Sequence, residues 1–297
     1  MESLLSVGFD NISSRDSSKI RKGLRQIEGL LAQVCLSQPS SRSPHKRKSS
    51  HLSSKQPNSP KKLGELKSDP AFREFFRIQE GFQWNVASRL VSTLERLMGM
   101  GNPSQTDLLI VSTLDLLQGV LLLHPPSRCL FNREIHMNLL LDLLDSFNPP
   151  AVQSQAVLVL VAALLDCPRN IRTFENVDGL LTVTSLFRSR DTAKDVRMKT
   201  LEFLYFYLMQ ETPIMHAGSA PNTAVLQRSP SKIDNGFAGH ARTHSGDSGG
   251  DMMDVDEDER ETRTMSEKQR MLGQYLNNVA ELVQDLEESA PFGVPQA

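Results

Sequence analysis

The sequence is poor in the residues that build cross-linked and thiol-dependent sites. Its 297 residues contain three cysteines, one tryptophan and three tyrosines, and Cys35, Cys129 and Cys167 form no C-x-x-C pair. An odd number of widely spaced cysteines argues against a disulfide framework and predicts reduced, buried thiols. None lies in a phosphate-cradling loop with an arginine close behind it, so a cysteine phosphatase is excluded.

A strong net charge and a long apolar run are also missing. The 33 Lys and Arg residues nearly balance the 35 Asp and Glu residues, which leaves a formal net charge of -2. This balance argues against general attraction to nucleic acid or to an anionic membrane. The longest apolar run, Ala156 to Leu165, is well short of the ~20 residues that span a bilayer. Because residues 1–11 do not read as a secretory signal either, we expect a cytoplasmic protein without membrane insertion.

Motifs for a metal or a cofactor are absent from the sequence. The seven histidines are scattered, and none has the spacing of a zinc ligand pair. The glycines at Gly99 and Gly101 and the pair Gly249-Gly250 do not open a helix after a strand, as a phosphate-binding loop requires. The sequence therefore predicts no catalytic, cofactor-binding or metal site, and an enzyme with an unfamiliar site is the least favoured alternative.

Two stretches are too polar to bury a core. Residues 37–68 are rich in Ser, Pro and basic residues, and residues 212–263 combine Gly, Ser and His with an acidic cluster from Asp251 through Glu261. Neither stretch can offset the entropy cost of its own ordering, so both are predicted to be disordered inserts. The basic run Lys46-Arg47-Lys48 lacks interleaved aromatic residues, which favours a solvated linker over a nucleic-acid contact.

The inserts contain a recurring Ser-Pro-x-Lys motif, the form that cyclin-dependent kinases prefer. It begins at Ser43, Ser59 and Ser229, which are therefore candidate phosphorylation sites. A phosphate on each serine would change the local charge and thereby the attraction of the segment to a partner.

The remaining segments have helical periodicity, with apolar residues every three or four positions. They are residues 1–36, with a helix from about Ser18 to Leu36; residues 69–211, with a helical block from about Pro70 to Gln210; and residues 264–297, with a helix from about Met265 to Glu288. Ser266 and Gln269 predict a capping box at the start of the last helix.

The central block repeats itself with a period of roughly 43 residues. When Pro125 is aligned with Pro168, the apolar positions of 108–123 match those of 152–165, and the match extends to 196–209. Each unit predicts a short helix around a Phe, a turn, a second helix and a longer, very apolar helix. The predicted fold is all-α: an armadillo or HEAT-like helical repeat, or α-solenoid, with disordered inserts and a C-terminal amphipathic helix. A β-rich fold is disfavoured because strand-type alternation is absent.

The apolar stripe of the C-terminal helix has two interpretations. It can cap the open end of the repeat array, or it can bind a partner in the helix-in-groove mode, and the two do not exclude each other. The candidate partner-binding residues are Leu272, Tyr275, Leu276, Val279, Leu282, Val283 and Leu286.

Two stretches of the chain resemble a known family. Residues 69–87 read DPAFREFFRIQEGFQWNVA and are followed by Leu94-Glu-Arg-Leu97, whereas residues 272–286 read LGQYLNNVAELVQDL and are closed by Pro291-Phe-Gly293. In these segments the chain resembles the fungal cell division control protein 14 family, which is distinct from the phosphatase that shares the name.

The resemblance implies a non-catalytic subunit that forms a heterodimer with a germinal-centre-type protein kinase in the septation initiation network. Such a protein is expected at the spindle pole body, with scaffold proteins of that organelle as further partners, where it couples mitotic exit to septum formation and cytokinesis. The kinase would contact either the groove lined by the long third helices or the C-terminal helix. A general armadillo-like adaptor without a dedicated kinase partner is the alternative.

Overall fold

The computed structural model describes residues 1–36, 60–100, 103–211 and 262–289, and the regular elements in these ranges are helices. Outside the helices, the backbone bridge found in these ranges is a single antiparallel pair between Leu36 and Pro60. The predicted all-α class is therefore confirmed. The helices are α1 (Glu2–Ile12), α2 (Ser17–Cys35), α3 (Leu63–Ser68), α4 (Pro70–Gln79), α5 (Val86–Met98), α6 (Pro103–Leu123), α7 (Glu134–Asp142), α8 (Pro150–Leu164), α9 (Pro168–Asn176), α10 (Gly179–Arg188), α11 (Lys194–Leu208), α12 (Met265–Leu272) and α13 (Val279–Ser289), with 3-10 helices at Phe82–Trp84 and Pro125–Asn132.

Local sequence signals start several of these helices. The Asp16 carboxylate accepts a hydrogen bond from the Ser18 amide at 2.8 Å, and the Asn85 side chain accepts one from the Ser88 amide at 2.8 Å. Each cap satisfies an amide that has no partner within its helix. Pro150 and Pro168 occupy the first turns of α8 and α9, where the missing amide donor costs nothing.

Four long helices, α2, α6, α8 and α11, pack one against the next in the part of the chain that the structure describes. The helix α6 packs between α2 and α8, and α8 packs in turn against α11. Leu114, Leu160 and Phe203, one on each of α6, α8 and α11, have no exposed surface. The helix α8 is apolar nearly all round because neighbours cover it on more than one side.

One order of elements occurs three times between residues 70 and 208. A short helix, a second helix and a long helix follow each other as α4, α5 and α6, then as the 3-10 helix Pro125–Asn132, α7 and α8, and then as α9, α10 and α11. This is the order of elements that the sequence predicts for one unit.

Within the described ranges, one stretch of helix is long and apolar enough to span a bilayer. It is Thr106–Leu123 of α6, which has a mean hydropathy of 1.7 and is 44% buried. Its contacts with α2, α5 and α8 account for this composition, since a central core helix needs the same apolar surface.

The N-terminus contains a helix that the sequence prediction missed. The predicted helix from Ser18 to Leu36 is present as α2, and α1 packs along it with Leu5, Phe9 and Ile12 buried. The helix α1 is short and includes Gly8, so its own periodic signal is weak and its position depends on packing against α2.

The predicted insert 37–68 extends too far. Its last residues lie on the helical body: Lys61 Nζ donates to the Val34 carbonyl oxygen at 2.8 Å and contacts Asp69 Oδ2 at 2.7 Å, and α3 follows directly. The hydrogen bond from Lys61 lowers the pKa of the Asp69 carboxyl. Residues 37–59 and 212–261 lie outside the described residues, and with them the candidate phosphorylation sites Ser43, Ser59 and Ser229.

The expected burial of the thiols is wrong for one cysteine. None of the three forms a disulfide; Cys35 and Cys167 are partly buried, whereas Cys129 is exposed. Cys129 lies on the solvent side of the 3-10 helix Pro125–Asn132, whose buried side is occupied by Ser127, Arg128 and Phe131.

Candidate functional site

The C-terminal segment forms two helices where the sequence predicts a continuous one. A turn separates α12 from α13, and the Gly273 amide donates to the Gln269 carbonyl oxygen at 2.8 Å as α12 ends. The capping box also differs from the predicted pair. Thr264 Oγ1 accepts from the Glu267 amide at 3.3 Å, and Glu267 Oε2 accepts from the Thr264 amide at 2.9 Å, so the cap lies two residues earlier than the predicted Ser266.

The predicted partner-binding stripe packs against the chain itself. Both C-terminal helices contact α11. The stripe residues that are buried are Leu272, Leu276, Val279, Leu282 and Val283, and Tyr275 is partly buried. Leu286 lies in α13, but its side chain is outside the described residues. The stripe thus covers α11, as a capping helix does, and partner binding by the same residues stays a prediction.

A buried cluster of charged side chains, which we call the C-terminal clasp, fixes this segment to the body. Three cations surround two carboxylates, and Glu175 and Glu211 expose only 1% and 3% of their side chains. The contacts are Arg172 Nη2 to Glu211 Oε1 at 2.5 Å, Lys268 Nζ to Glu211 Oε1 at 3.0 Å, Arg263 Nε to Glu175 Oε2 at 2.9 Å and Arg172 Nη1 to Glu175 Oε2 at 3.3 Å.

Further hydrogen bonds complete the clasp. Lys268 Nζ donates to the carbonyl oxygens of Tyr207 and Met209, both at 2.9 Å, and the Tyr207 hydroxyl donates to Glu175 Oε1 at 2.8 Å. Burial lowers the pKa of Lys268, and burial together with the Glu175 charge raises the pKa of Tyr207. The three buried charges of the clasp, on Glu175, Glu211 and Lys268, hold their positions because each has several partners.

The clasp brings together residues on the two sides of a long stretch of sequence. The Arg263 amide donates to Glu211 Oε2 at 2.9 Å across a separation of 52 residues. The predicted insert 212–263 therefore ends too late, since Thr262 and Arg263 belong to the described body. Sequence reasoning missed the clasp because charges so far apart share no periodicity. The i, i+3 spacing of Arg172 and Glu175 on α9 was the local signal available.

One buried polar contact has the residue types of a nucleophile and its base but not their setting. His124 Nδ1 lies 2.8 Å from the Ser127 hydroxyl oxygen, which also accepts from the Asn85 side-chain amide at 3.0 Å. Burial lowers the pKa of His124, and His124 and Ser127 are only 1% and 2% exposed, so both lie inside the helical body. In the part of the chain that the structure describes, no group of His, Cys, Asp or Glu side chains is arranged to hold a metal ion.

The long helices also present apolar side chains to solvent. Leu108 and Leu122 of α6 are 66% and 50% exposed, and Met198 of α11 and Met209 at its C-terminal end are 49% and 55% exposed. These positions belong to the long-helix surface that the sequence offers as one of two docking sites.

The packed long helices and the clasp define a protein whose regular elements, in the part of the chain that the structure describes, are helices and whose C-terminal segment packs back on α11. Comparison with known proteins identifies its family. The chain belongs to the family described as "Cell division control protein 14, SIN component", where SIN is the septation initiation network, and the family model matches residues 1–292. The resemblance drawn from the sequence is confirmed.

The chain is similar to a curated protein of fission yeast. It is 28% identical over 302 residues to "Cell division control protein 14" of Schizosaccharomyces pombe, and the alignment covers 99% of this chain and 97% of that protein. No solved structure matches the chain. Membership in a family of septation initiation network components associates the chain with cell division.

Proposed function

We propose that the chain is a non-catalytic regulatory or scaffold subunit that binds a germinal-centre-type protein kinase in the septation initiation network and promotes septum formation and cytokinesis. The observation that carries the proposal is the family match across residues 1–292, which includes the helical body and the C-terminal segment together. The subunit acts in the cytoplasm and is recruited to the spindle pole body, where scaffold proteins are further partners.

The proposal includes an armadillo or HEAT-like arrangement of the helices. Two polar contacts between successive units support it, because both join residues 42 positions apart. They are the hydrogen bond from the Asn85 side chain to the Ser127 hydroxyl oxygen and the one from the Asn170 side chain to the Arg128 carbonyl oxygen. A contact that recurs at the repeat length is expected when each unit packs on the next.

The kinase docks on the long-helix surface in this proposal. Exposed Leu108, Leu122 and Met198 support this choice, since the stripe on α12 and α13 already covers α11. A surface formed by packed helices is already ordered before binding, and this preorganisation limits the entropy cost of association.

Purification of the tagged full-length protein from dividing fungal cells tests the proposal. We expect one germinal-centre-type kinase in near-equal amount, and septa that fail to form when the protein is depleted. Many partners without such a kinase would favour the general adaptor. Normal septation after depletion would contradict the proposed role in cytokinesis.

A further inference from the structure

A hollow of about 500 Å³ lies between α2 and α6. Leu24 and Leu109 are among the apolar residues that line it and are buried, whereas Leu108 is 66% exposed beside them. The two helices pack directly on each other, so the walls of the hollow have fixed positions. An exposed leucine beside a preformed apolar groove is typical of sites that receive the apolar face of a helix.

The charged residues around this groove are sorted by sign along α2. Arg21 and Arg25 lie one helical turn apart towards the start of α2, while Glu28 lies further along and faces the Asp115 side of α6. Burial and the nearby Glu28 charge raise the pKa of the Asp115 carboxyl. The groove thus has a basic end and an acidic end.

These four charges have no ion-pair partner among the residues that the structure describes. Arg21 repels Arg25 at a spacing of i, i+4, and Glu28 repels Asp115 across the groove. A partner with the reverse order of charges relieves both repulsions, whereas one of uniform charge relieves one and worsens the other.

We propose that the α2/α6 groove receives one amphipathic helix of the partner kinase. Its apolar face enters the hollow beside Leu108, with an acidic residue against Arg21 and Arg25 and a basic residue against Glu28 and Asp115. Arg21 and Glu28 are two helical turns apart, about 10 Å along the axis, so the two charged residues of the partner are about seven positions apart. This inference rests on the proposed function and deepens it by naming the contact surface.

Titration of purified full-length kinase into the full-length protein tests the groove. Leu108→Glu and the double variant R21E/R25E are each expected to weaken binding about tenfold or more, because one places a charge at the apolar contact and the other reverses the basic end. The affinity of the R21E/R25E variant should also depend less steeply on salt. Matched controls are Leu181→Glu, an exposed leucine of α10 that does not line the hollow, and R73E/K194E, two exposed cations elsewhere.

The possible outcomes separate a failure of the groove assignment from a failure of the proposed function. If the groove variants and the controls all bind the kinase as tightly as the unmodified protein does, the groove assignment is wrong and the proposed function stands. If the unmodified protein does not bind the kinase, both fail together. Self-association that Leu108→Glu abolishes while kinase affinity is unchanged would assign the groove to a second copy of this chain and overturn the proposal. All variants alter exposed side chains, and equal thermal unfolding curves will verify their folding.

Discussion

The two ends of the helical body are closed in different ways. At the N-terminal end, α1 packs on α2 at close range: a Cβ added at Gly23 would lie 2.8 Å from the Gly8 carbonyl oxygen and 2.7 Å from Ile12 Cγ2. At the C-terminal end, α12 and α13 cover α11, and the clasp of Arg172, Glu211 and Lys268 holds α12 in place.

The difference shows two solutions to one problem. A terminal element of a helical body must cover an apolar face that would otherwise meet water. The N-terminal closure depends on backbone shape, so it should fail when volume is added. The C-terminal closure depends on ion pairs between buried charges, so it should fail when one side chain of such a pair is removed.

The largest effect is expected from Glu211→Gln. The substitution removes the buried carboxylate that pairs with the buried Lys268 ammonium, and breaking a buried ion pair costs about 3–5 kcal/mol. We expect the C-terminal segment to open locally, with faster amide hydrogen exchange in residues 265–289 and unchanged exchange in α5, α6 and α8. Glu202→Gln on exposed α11 surface is the matched control. Unchanged exchange in the C-terminal segment would mean that apolar contacts alone hold it.

The next effect tests the N-terminal closure. Gly23→Ala forces a methyl group against the backbone of α1, and such overpacking costs about 1–3 kcal/mol. Urea unfolding should show the loss. The matched control is Gly29→Ala in the same helix, where an added Cβ meets nothing within 4 Å, and there the better helix propensity of alanine should leave stability unchanged or slightly raised. Equal destabilisation by both substitutions would show that close approach at Gly23 does not matter.

The smallest effect is expected from Tyr207→Phe and depends on pH. At pH 7 the variant should lose about 1 kcal/mol, because Glu175 loses the hydrogen bond from the hydroxyl. The pKa of Tyr207 is raised in the folded state, so above pH ~10 the unfolded chain releases a proton that the folded chain retains. Stability of the unmodified protein then falls with rising pH, and the deficit of Tyr207→Phe should shrink.

Denaturant unfolding of both proteins at pH 8 and at pH 11 measures that difference. The contribution of Lys268 is present in both proteins and largely cancels. A deficit that is constant or grows at high pH would show that Tyr207 ionises normally and is not tightly enclosed by the clasp. Gly23→Ala, whose site has no titrating group, should show the same deficit at both pH values.

The long helices illustrate what could be predicted from the sequence. The starts and ends of α8 and α11 lie within two residues of the predicted 152–165 and 196–209, because continuous apolar character and flanking prolines are local signals. The three-part order of the units also followed from self-similarity. In α6 the predicted start was five residues late, because its first turn lacks strongly apolar residues.

The clasp illustrates what could not be predicted. The stripe from Leu272 to Val283 was recognised as apolar, but its partner α11 lies across a long polar stretch, and pairing across such a distance has no periodic trace in sequence. The break between α12 and α13 escaped for a related reason. The spacing of Leu276 and Val279 fits one continuous helix as well as two helices joined by a turn. Contact with α11 decides between these two conformations.

By itself, the sequence determined the all-helical class, the order of helices within each unit and the family of the protein, because these depend on local periodicity and on matching residues along the chain. Tertiary structure alone decided that α1 exists as a packed helix, that the C-terminal segment folds back on α11 and that charges at residues 172, 211 and 268 meet. The physical reason is that burial and ion pairing depend on which surfaces come into contact, and contact between distant segments is settled by the free energy of the whole fold.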